Sequence, residues 1–238
     1  MKLSIIIPVF NEKDTLPEIL KKVAGVNLGT IGKEVIIVDD CSTDGTAEIL
    51  KNLESDGHRI FFQEKNQGKG AALRRGFKEA TGDIIIIQDA DLEYDPTDYP
   101  VILKPILDGQ ADVVYGSRFL EPEGAPRQNR IVYKRGYLFS RMLNWMSNIL
   151  SGAYLSDIYT CYKVFSRNAI DRISPRLRSN RFGIDPELTA WTAKFNFKTI
   201  EVPISYQGRT YKEGKKINWK DGIAAIFHII RYNLFARK

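Results

Sequence analysis

The sequence predicts an α/β protein in which a mostly parallel β-sheet is flanked by helices on both faces. Short runs of apolar, often β-branched residues alternate with segments of helical periodicity through the first half of the chain. The runs are almost continuously apolar, which is typical of strands buried on both faces. Polar clusters follow several of these runs directly. Because ligands bind beyond the carboxyl ends of the strands in such sheets, these clusters are the first candidates for a functional site.

Five strands and three helices are predicted in residues 1–115. The apolar runs place strands at residues 3–9, 34–38, 59–63, 84–87 and 112–115. Helices are predicted at 46–53, at 71–80 and around the helically spaced Leu16, Ile19, Leu20 and Val23. Four strands end in polar clusters: Asn11 and Glu12, Asp39 and Asp40, Asp89 to Asp91, and Gly116 to Arg118. A single cluster is compatible with a turn or a helix cap, whereas four at one edge of a sheet favour a binding site.

The second half of the chain is predicted to be helical and basic, with one late strand at residues 199–205 and a loop at 121–129. On a helix, Arg130, Lys134 and Arg141 would fall within about 40° of one another, at ~100° per residue, whereas Arg135 points away. Many aliphatic and aromatic residues surround them. This pattern favours a basic amphipathic helix lying in a membrane surface, with a helix packed on the sheet as the alternative. The C-terminal segment repeats the pattern.

Charge is divided unequally along the chain. The net charge of +6 combines a balance of −7 in residues 1–114 with one of +13 in residues 115–238. Such a division suggests a site where a cation and an anion meet, or a basic face that docks on an anionic surface. Unequal decoration of the surface is the alternative.

Composition limits the classes of protein to consider. Two cysteines, Cys41 and Cys161, are too few for a disulfide framework, so a reducing compartment is expected. The chain opens on an apolar strand without the basic start of a signal peptide. No window reaches the roughly 18–20 apolar residues that span a bilayer, so no transmembrane helix is expected.

The acidic run after the fourth strand predicts a divalent metal site. Asp89 and Asp91 are two residues apart, so in extended backbone both side chains leave on the same side. Carboxylate oxygens, with Glu93 as a further candidate, suit Mg²⁺ or Mn²⁺ held jointly with substrate phosphates. Zinc is not indicated, because His58 and His228 lie far apart and there is no cluster of Cys and His residues.

Eight stretches of the sequence resemble a known enzyme family. The first five are IPVFNE (7–12), VDDCSTDGT (38–46), NQGKGAALRRGF (66–77), QDADLEYDP (88–96) and GSRF (116–119). In this order they resemble the inverting family 2 glycosyltransferases, which have the Rossmann-like GT-A fold. The later ones are SDIYTCYKVF (156–165), RFGIDPELTA (181–190) and EVPISYQGRTYKEGKKINWKDG (201–222). They narrow the resemblance, which covers nearly the whole chain, to the branch containing dolichyl-phosphate mannose synthase and related polyprenyl-phosphate sugar transferases.

The resemblance implies a division of the chain and a nucleotide-sugar site. Residues 1–216 would form the GT-A catalytic domain, with a nucleotide-sugar half (1–115) and an acceptor half (116–216), and 217–238 an amphipathic helical extension. The nucleotide-sugar site would comprise Pro8, Phe10, Asn11, Glu12, Asp39, Asp40, Lys69, Asp89, Ala90 and Asp91. The metal would be held by Asp89 and Asp91, assisted by Glu93. For Lys69, a solvated surface position is the alternative to a nucleotide contact.

The basic half is expected to bind the acceptor phosphate. Arg118 sits at a strand end, where it can reach a phosphate bidentately. The full set of candidates for this role is Arg118, Arg130, Lys134, Ser140, Arg141, Arg209, Lys215 and Lys216. Asp157 and Glu187 are the acidic candidates near the acceptor, and Asp157 joins Asp89, Asp91 and Arg118 in the set expected to act in catalysis.

The function implied is metal-dependent, inverting transfer of a hexose from a nucleotide sugar to a polyprenyl or dolichyl phosphate. GDP-mannose is the favoured donor, with UDP-glucose or UDP-GlcNAc as alternatives. A peripheral enzyme on the cytoplasmic face of an anionic membrane is expected, with or without a separate membrane subunit and with no nucleic-acid partner. A sugar-nucleotide pyrophosphorylase would show a glycine-rich loop near its N-terminus, which is absent here. A non-enzymatic membrane adaptor would leave the polar strand ends unexplained.

Overall fold

A single seven-stranded sheet organises the chain, as seen in a computed structural model. The model describes residues 1–53, 58–121, 129–130, 132–210 and 219–237, without the side chains of 134–135 and 219–221. In chain order the strands are β1 (Lys2–Val9), β2 (Gly32–Asp39), β3 (Arg59–Phe62), β4 (Ile84–Ile87), β5 (Val113–Ser117), β6 (Lys163–Ser166) and β7 (Thr199–Pro203). Their order across the sheet is β3-β2-β1-β4-β6-β5-β7. This arrangement confirms the predicted α/β class and all the strands named from the sequence.

Eight helices cover the two faces of the sheet within the described ranges. They are α1 (Leu16–Gly25), α2 (Thr46–Leu53), α3 (Lys69–Glu79), α4 (Tyr99–Leu107), α5 (Lys134–Ser151), α6 (Arg167–Ile173), α7 (Ile184–Lys194) and α8 (Trp219–Ile230). A short π-helix, Arg231–Phe235, continues α8. The core lies between the helices and the strands, where all four isoleucines of β4 are buried on both faces.

Strand β6 was not predicted from the sequence. It lies between β4 and β5 and is antiparallel to both, whereas the other strand pairs are parallel. Because β6 has only four residues, its length and composition alone do not distinguish it from a turn of helix. Its insertion separates β4 from β5, and so sets the distance between the two strand ends that carry Asp89 and Arg118.

The prediction that Arg130, Lys134 and Arg141 lie on one face of one helix is wrong for Arg130. Helix α5 begins at Lys134, so Arg130 precedes it. The backbone of Arg130 pairs instead with the segment after β7, donating to the carbonyl of Tyr206 and accepting from the N–H of Gly208. These bonds occupy the backbone groups that a helix would need. Arg130 is therefore displaced from the face that Arg141 shares with the start of α5.

Helix α3 approaches the sheet unusually closely at Gly76. A Cβ atom at Gly76 would collide with Cγ2 of Ile6, which is fully buried on the central strand β1. We expect Gly76→Ala to lower the free energy of unfolding by about 1–3 kcal/mol, because overpacked cores must shift backbone or rotamers. Gly25→Ala, at the end of α1, is the matched control, since no described atom lies within 4 Å of its added Cβ. Equal destabilisation of both variants in urea unfolding would contradict this packing.

Candidate active site

The carboxyl ends of β1, β2, β4 and β5 open into one large cavity of about 1050 Å³. Of the residues expected from the sequence, its wall includes Pro8, Phe10, Glu12, Asp40, Lys69, Asp89, Ala90, Asp91, Glu93, Arg118, Ser140 and Arg209. The convergence of the strand-end clusters, inferred from sheet geometry alone, is therefore observed. The wall also brings together the acidic first half of the chain and cations from the second half.

The two aspartates of the acidic run each contact a side-chain cation. Nζ of Lys69 lies 2.6 Å from Oδ1 of Asp89, and Nη2 of Arg209 lies 2.8 Å from Oδ2 of Asp91. The guanidinium of Arg209 also lies 3.3 Å from Oε1 of Glu93 and 3.4 Å from Oε2 of Glu12. One arginine thus contacts three carboxylates, and Lys69 is not a solvated surface residue.

Lys69 and Arg209 do not offset all the negative charge that surrounds Asp91. Burial, followed by repulsion from Asp89 and Glu93, raises the pKa of Asp91 to about 7, against the opposing effect of Arg209. A carboxyl group whose ionised form is this unfavourable gains from an additional cation nearby. The donor set therefore fits Mg²⁺ or Mn²⁺, which take one or two carboxylates and complete their coordination with phosphates and water. Within the described residues, no group of three or more His, Cys, Asp or Glu side chains forms a ready-made cage.

The backbone around Asp91 is not an extended strand. Strand β4 ends at Ile87, and Leu92 has a φ of +61°, a left-handed conformation that is rare for a bulky residue. This turn brings the N–H of Glu93 to within 3.1 Å of Oδ1 of Asp91. Asp89 and Asp91 do face the same cavity, as predicted. They reach it through a tight turn, whereas the prediction assumed side chains that alternate along an extended strand. Strained turns of this kind concentrate at functional sites.

Glu93 is engaged by three donors in this arrangement. Its carboxylate accepts from the hydroxyl of Tyr206 at 2.8 Å and from the backbone N–H of Arg209 at 3.1 Å, besides the Arg209 guanidinium. It therefore ties the acidic turn to the segment after β7. Its role as a metal ligand stays a prediction.

At the carboxyl end of β2, Asp39 and Asp40 hold the loops that follow β2 and β3. The carboxylate of Asp40 accepts from the N–H groups of Gln67 and Gly68 at 2.7 and 2.6 Å, and from Nε2 of Gln63 at 2.8 Å. Burial raises the pKa of Asp40. Asp39 accepts from the N–H of Ser42 through Oδ2, whereas its buried Oδ1 has no hydrogen-bond partner among the described atoms. Asp39 is not among the residues that line the cavity, and its contact with a nucleotide stays a prediction.

Asn11 links the β1 and β2 ends and does not belong to the cavity wall described above. Its N–H donates to Oγ of Ser42 at 2.9 Å, and its Oδ1 accepts from the N–H of Thr43 at 2.8 Å. The left-handed φ of +53° at Asn11 is one that asparagine tolerates. Asn11 thus holds the loop that follows β2 beside the end of β1.

Arg118 and Asp157, both predicted to lie near the acceptor, form a bidentate ion pair. Nε and Nη2 of Arg118 lie 2.7 and 2.8 Å from the two oxygens of Asp157, and the N–H of Arg118 donates to the same carboxylate at 3.1 Å. Asp157 is completely buried and both of its oxygens are occupied. Although burial opposes the charge, Asp157 raises the pKa of Arg118. Asp157 therefore holds and orients Arg118 and is not placed to accept a proton from the acceptor.

The other acceptor candidates are dispersed. Ser140 lines the cavity, whereas Arg141 is exposed on α5 with its guanidinium 6.0 Å from the ring of Phe119. Arg209 lies in the acidic cluster. Lys134 starts α5, but its side chain is not among those described, and Lys215 and Lys216 fall outside the described residues.

Several residues of the cavity were not singled out from the sequence. Asp185 lines it, and its Oδ1 lies 2.6 Å from Nζ of Lys163, which is completely buried. The hydroxyl of Tyr159, also in the wall, is buried without a hydrogen-bond partner among the described atoms. The signals were the SDIYTCYKVF stretch, which contains Tyr159 and Lys163, and the RFGIDPELTA stretch, which contains Asp185 and in which Glu187 was chosen instead. Glu187 is fully buried and accepts from the N–H groups of Arg178 and Ser179, so it holds a loop, and it is not among the residues that line the cavity.

The fold and site define a class of protein when they are compared with solved structures. Glucosyl-3-phosphoglycerate synthase from Mycobacterium tuberculosis, in complex with Mn²⁺, UDP and glucosyl-3-phosphoglycerate, superposes with a TM-score of 0.72 at 19% identity, covering 98% of this chain and 80% of that one. The same enzyme with Mg²⁺ and UDP gives a TM-score of 0.71 at 20% identity over 98% and 79% of the two chains. The sheet and helices are those of the GT-A glycosyltransferases.

Sequence comparison gives the family. Residues 4–173 match Glycosyl transferase family 2, and the chain belongs to this family. An uncharacterized protein of Methanocaldococcus jannaschii is 31% identical over 235 residues, 97% of this chain and 92% of that protein. The undecaprenyl-phosphate 4-deoxy-4-formamido-L-arabinose transferase of Klebsiella pneumoniae is 28% identical over 221 residues, 90% of this chain. The match spans 62% of the length of that transferase. The resemblance stated from the motifs is confirmed.

Proposed function

We propose that this glycosyltransferase moves a hexose from a nucleotide sugar to a polyprenyl phosphate, with inversion and with a divalent metal ion. The observation that carries the proposal is the placement of Asp89 and Asp91 beside Lys69, Arg209 and Arg118 in one cavity. The Mn²⁺, Mg²⁺ and UDP of the solved neighbours support a metal-bound nucleotide diphosphate. The Klebsiella relative supports a polyprenyl phosphate as acceptor.

In this mechanism Asp89 and Asp91 hold the metal, which offsets the charge of the departing diphosphate when bound. Arg209 and Lys69 add positive charge on the same side of the cavity. A phosphate oxygen of the acceptor attacks the anomeric carbon as the bond to the diphosphate breaks, and the diphosphate leaves with the bonding electrons. Because a phosphate monoester is already anionic near neutral pH, no residue has to remove a proton. Arg118, oriented by Asp157, positions the acceptor phosphate and reduces its repulsion from the leaving group.

The outward faces of α5 and α8 support a membrane location for the reaction. The large apolar side chains exposed there are Leu138, Phe139, Met142, Trp145, Ile149, Ile223, Phe227 and Ile230, followed by Leu234 and Phe235. Exposed apolar surface of this extent marks a contact with a partner or a lipid phase. No described helix is long and apolar enough to cross a membrane. We place the chain peripherally on the cytoplasmic face of an anionic membrane, with a membrane subunit as the alternative partner for this surface.

The donor is assigned from the family branch, which favours GDP-mannose, whereas the solved neighbours bind UDP. UDP-glucose and UDP-GlcNAc are therefore the alternatives. The resemblance assigns Asp39 and Asp40 to the base and ribose, and a carboxylate there would suit either base, because guanine and uracil both present ring N–H donors. Asp185 and Tyr159, both in the cavity wall, are candidates to bind the hexose hydroxyls.

A transfer assay with a panel of donors tests this function. We expect incubation with Mn²⁺, a short polyprenyl phosphate and one of GDP-mannose, UDP-glucose or UDP-GlcNAc to release a nucleoside diphosphate and move the sugar into the organic phase. Chelation with EDTA should abolish both products. Release of inorganic diphosphate from a nucleoside triphosphate and a sugar 1-phosphate, without sugar transfer in the first assay, would instead indicate a pyrophosphorylase. Absence of any divalent-dependent nucleotide binding would favour the adaptor.

A further inference from the structure

The loop that carries Asp157 is held by side chains from other elements. The four backbone N–H groups of residues 155–158 all donate to side chains: Leu155 to Asn148, Ser156 and Asp157 to Glu201, and Ile158 to Asn144. In return, Nδ2 of Asn148 donates to the carbonyl of Leu155 at 2.7 Å, and Nδ2 of Asn144 donates to that of Ser156 at 2.5 Å. The position of this loop therefore depends on where α5 and β7 lie.

Helix α5 combines these inward contacts with an outward apolar surface. Asn144 and Asn148 are four residues apart and share one face, which packs on the loop. Another face carries the apolar stripe formed by Leu138, Met142, Trp145 and Ile149. Leu138, Trp145 and Ile149 are 71, 65 and 62% exposed. Because α5 is a rigid helix, docking of this stripe on another surface also sets the position of Asn144 and Asn148.

The apolar stripe of α5 is continuous with the mouth of the cavity. Phe139, next to Leu138 of the stripe, lines the cavity wall, as do Tyr137 and Ile223. The backbone of Gly222 on α8 comes so close to the ring of Phe139 that an added Cβ would lie 2.8 Å from Cε1. An acceptor with a phosphate near Arg118 would thus extend its apolar chain along this wall toward the stripe. A lipid phase is the occupant that fits both the stripe and the cavity mouth.

We propose that Asn144 and Asn148 are positioning residues, through which contact between the apolar stripe of α5 and a lipid surface fixes the loop at 155–158. The loop in turn fixes Asp157, and Asp157 orients Arg118 through two hydrogen bonds. The active site then reaches its working geometry at the membrane surface, where the lipid-borne acceptor is found. This inference rests on the proposed function, because it takes a lipid-borne acceptor as given. Because the backbone N–H groups of this loop are held by side chains of other elements, a shift of α5 changes how readily the loop opens, and docking of α5 has a measurable effect on it.

Hydrogen–deuterium exchange of residues 155–158, with and without vesicles containing phosphatidylglycerol, tests the inference. In the wild-type protein we expect vesicles to slow this exchange. In Asn148→Ala, residues 155–158 should exchange faster in solution, and vesicles should no longer slow that exchange. The variant should still sediment with the vesicles. Its kcat for transfer in vesicles should fall, with the KM for the nucleotide sugar unchanged. Asn148 carries the test because it is only partly buried, whereas Asn144→Ala leaves buried groups without partners.

Ile149→Ala is the matched control, since it changes the adjacent outward position and no contact to the loop. In this variant, residues 155–158 should exchange at the wild-type rate in solution. A higher lipid concentration should be needed to slow their exchange to the same extent. Vesicle binding by the wild type without slower exchange at 155–158 would overturn the inference alone. The same would follow if Asn148→Ala kept the full slowing. Failure of the wild type to bind vesicles would contradict both this inference and the proposed membrane location.

Discussion

Asp91→Asn lowers kcat for sugar transfer by a factor on the order of 10²–10³ or more, because it removes a carboxylate proposed to hold the metal, and the metal would offset the negative charge of the leaving group. The protein should stay folded. Asp91 is repelled by Asp89 and Glu93, so loss of its charge relieves repulsion within the cluster. Steady-state transfer rates at saturating donor, together with urea unfolding, separate the catalytic effect from a structural one.

Asp95→Asn is the matched control for Asp91→Asn. Asp95 lies four residues further on, where its carboxylate pairs with Lys22 and accepts from the N–H of Thr97 at a helix start. Asparagine caps helices about as well as aspartate, and exposed ion pairs contribute little. This variant should keep transfer rates near those of the wild type. If both variants lost activity equally, or if Asp91→Asn retained metal-dependent turnover, Asp91 would have no part in the mechanism.

Arg118→Met lowers the free energy of unfolding by about 3–5 kcal/mol, because it leaves Asp157 buried without its counter-ion. Activity should be lost as well, since Arg118 is the cation proposed to hold the acceptor phosphate. The double variant Arg118→Met with Asp157→Asn should recover much of the stability and none of the activity. Urea unfolding of the single and double variants measures the coupling between the two residues.

Lys104→Met provides the control for the ion pair. Lys104 pairs with Asp108 on the surface of α4, and the lysine side chain is 72% exposed. Its removal should change the free energy of unfolding by less than about 0.5 kcal/mol. A loss at Arg118 no larger than that at Lys104 would mean that Asp157 is not buried as described.

Much of the fold was predictable because the strand signals are local. The apolar runs of β1, β2 and β4 can be read residue by residue, and in a parallel sheet their ends share an edge. Strand β6 escaped prediction because it has four residues and its place between β4 and β5 is set by tertiary packing. Arg130 was misplaced because its backbone pairs with residues near 207, a contact between distant segments.

The acidic residues of the site could also be predicted from the sequence, whereas the cations that pair with them could not. The spacing of Asp89 and Asp91 marks them directly, but Arg209 is 118 residues away from Asp91 in the chain. Likewise, no local pattern pairs Asp185 with Lys163, because the pair is made only when β6 and the start of α7 come together. Which carboxylate faces the cavity in a stretch such as RFGIDPELTA, Asp185 or Glu187, depends on helix orientation. The sequence therefore identified the residue types needed for the chemistry more fully than their contacts.

The most direct test of the central claim is calorimetric titration of GDP and UDP into the wild-type protein and Asp91→Asn, each in Mn²⁺ and in EDTA. If Asp89 and Asp91 hold a metal that binds the diphosphate, the wild type will bind one of the two nucleotides tightly in Mn²⁺ and weakly in EDTA. Asp91→Asn will lose the difference between the two conditions. Equally tight binding in EDTA, or an unchanged Mn²⁺ dependence in the variant, would contradict the account.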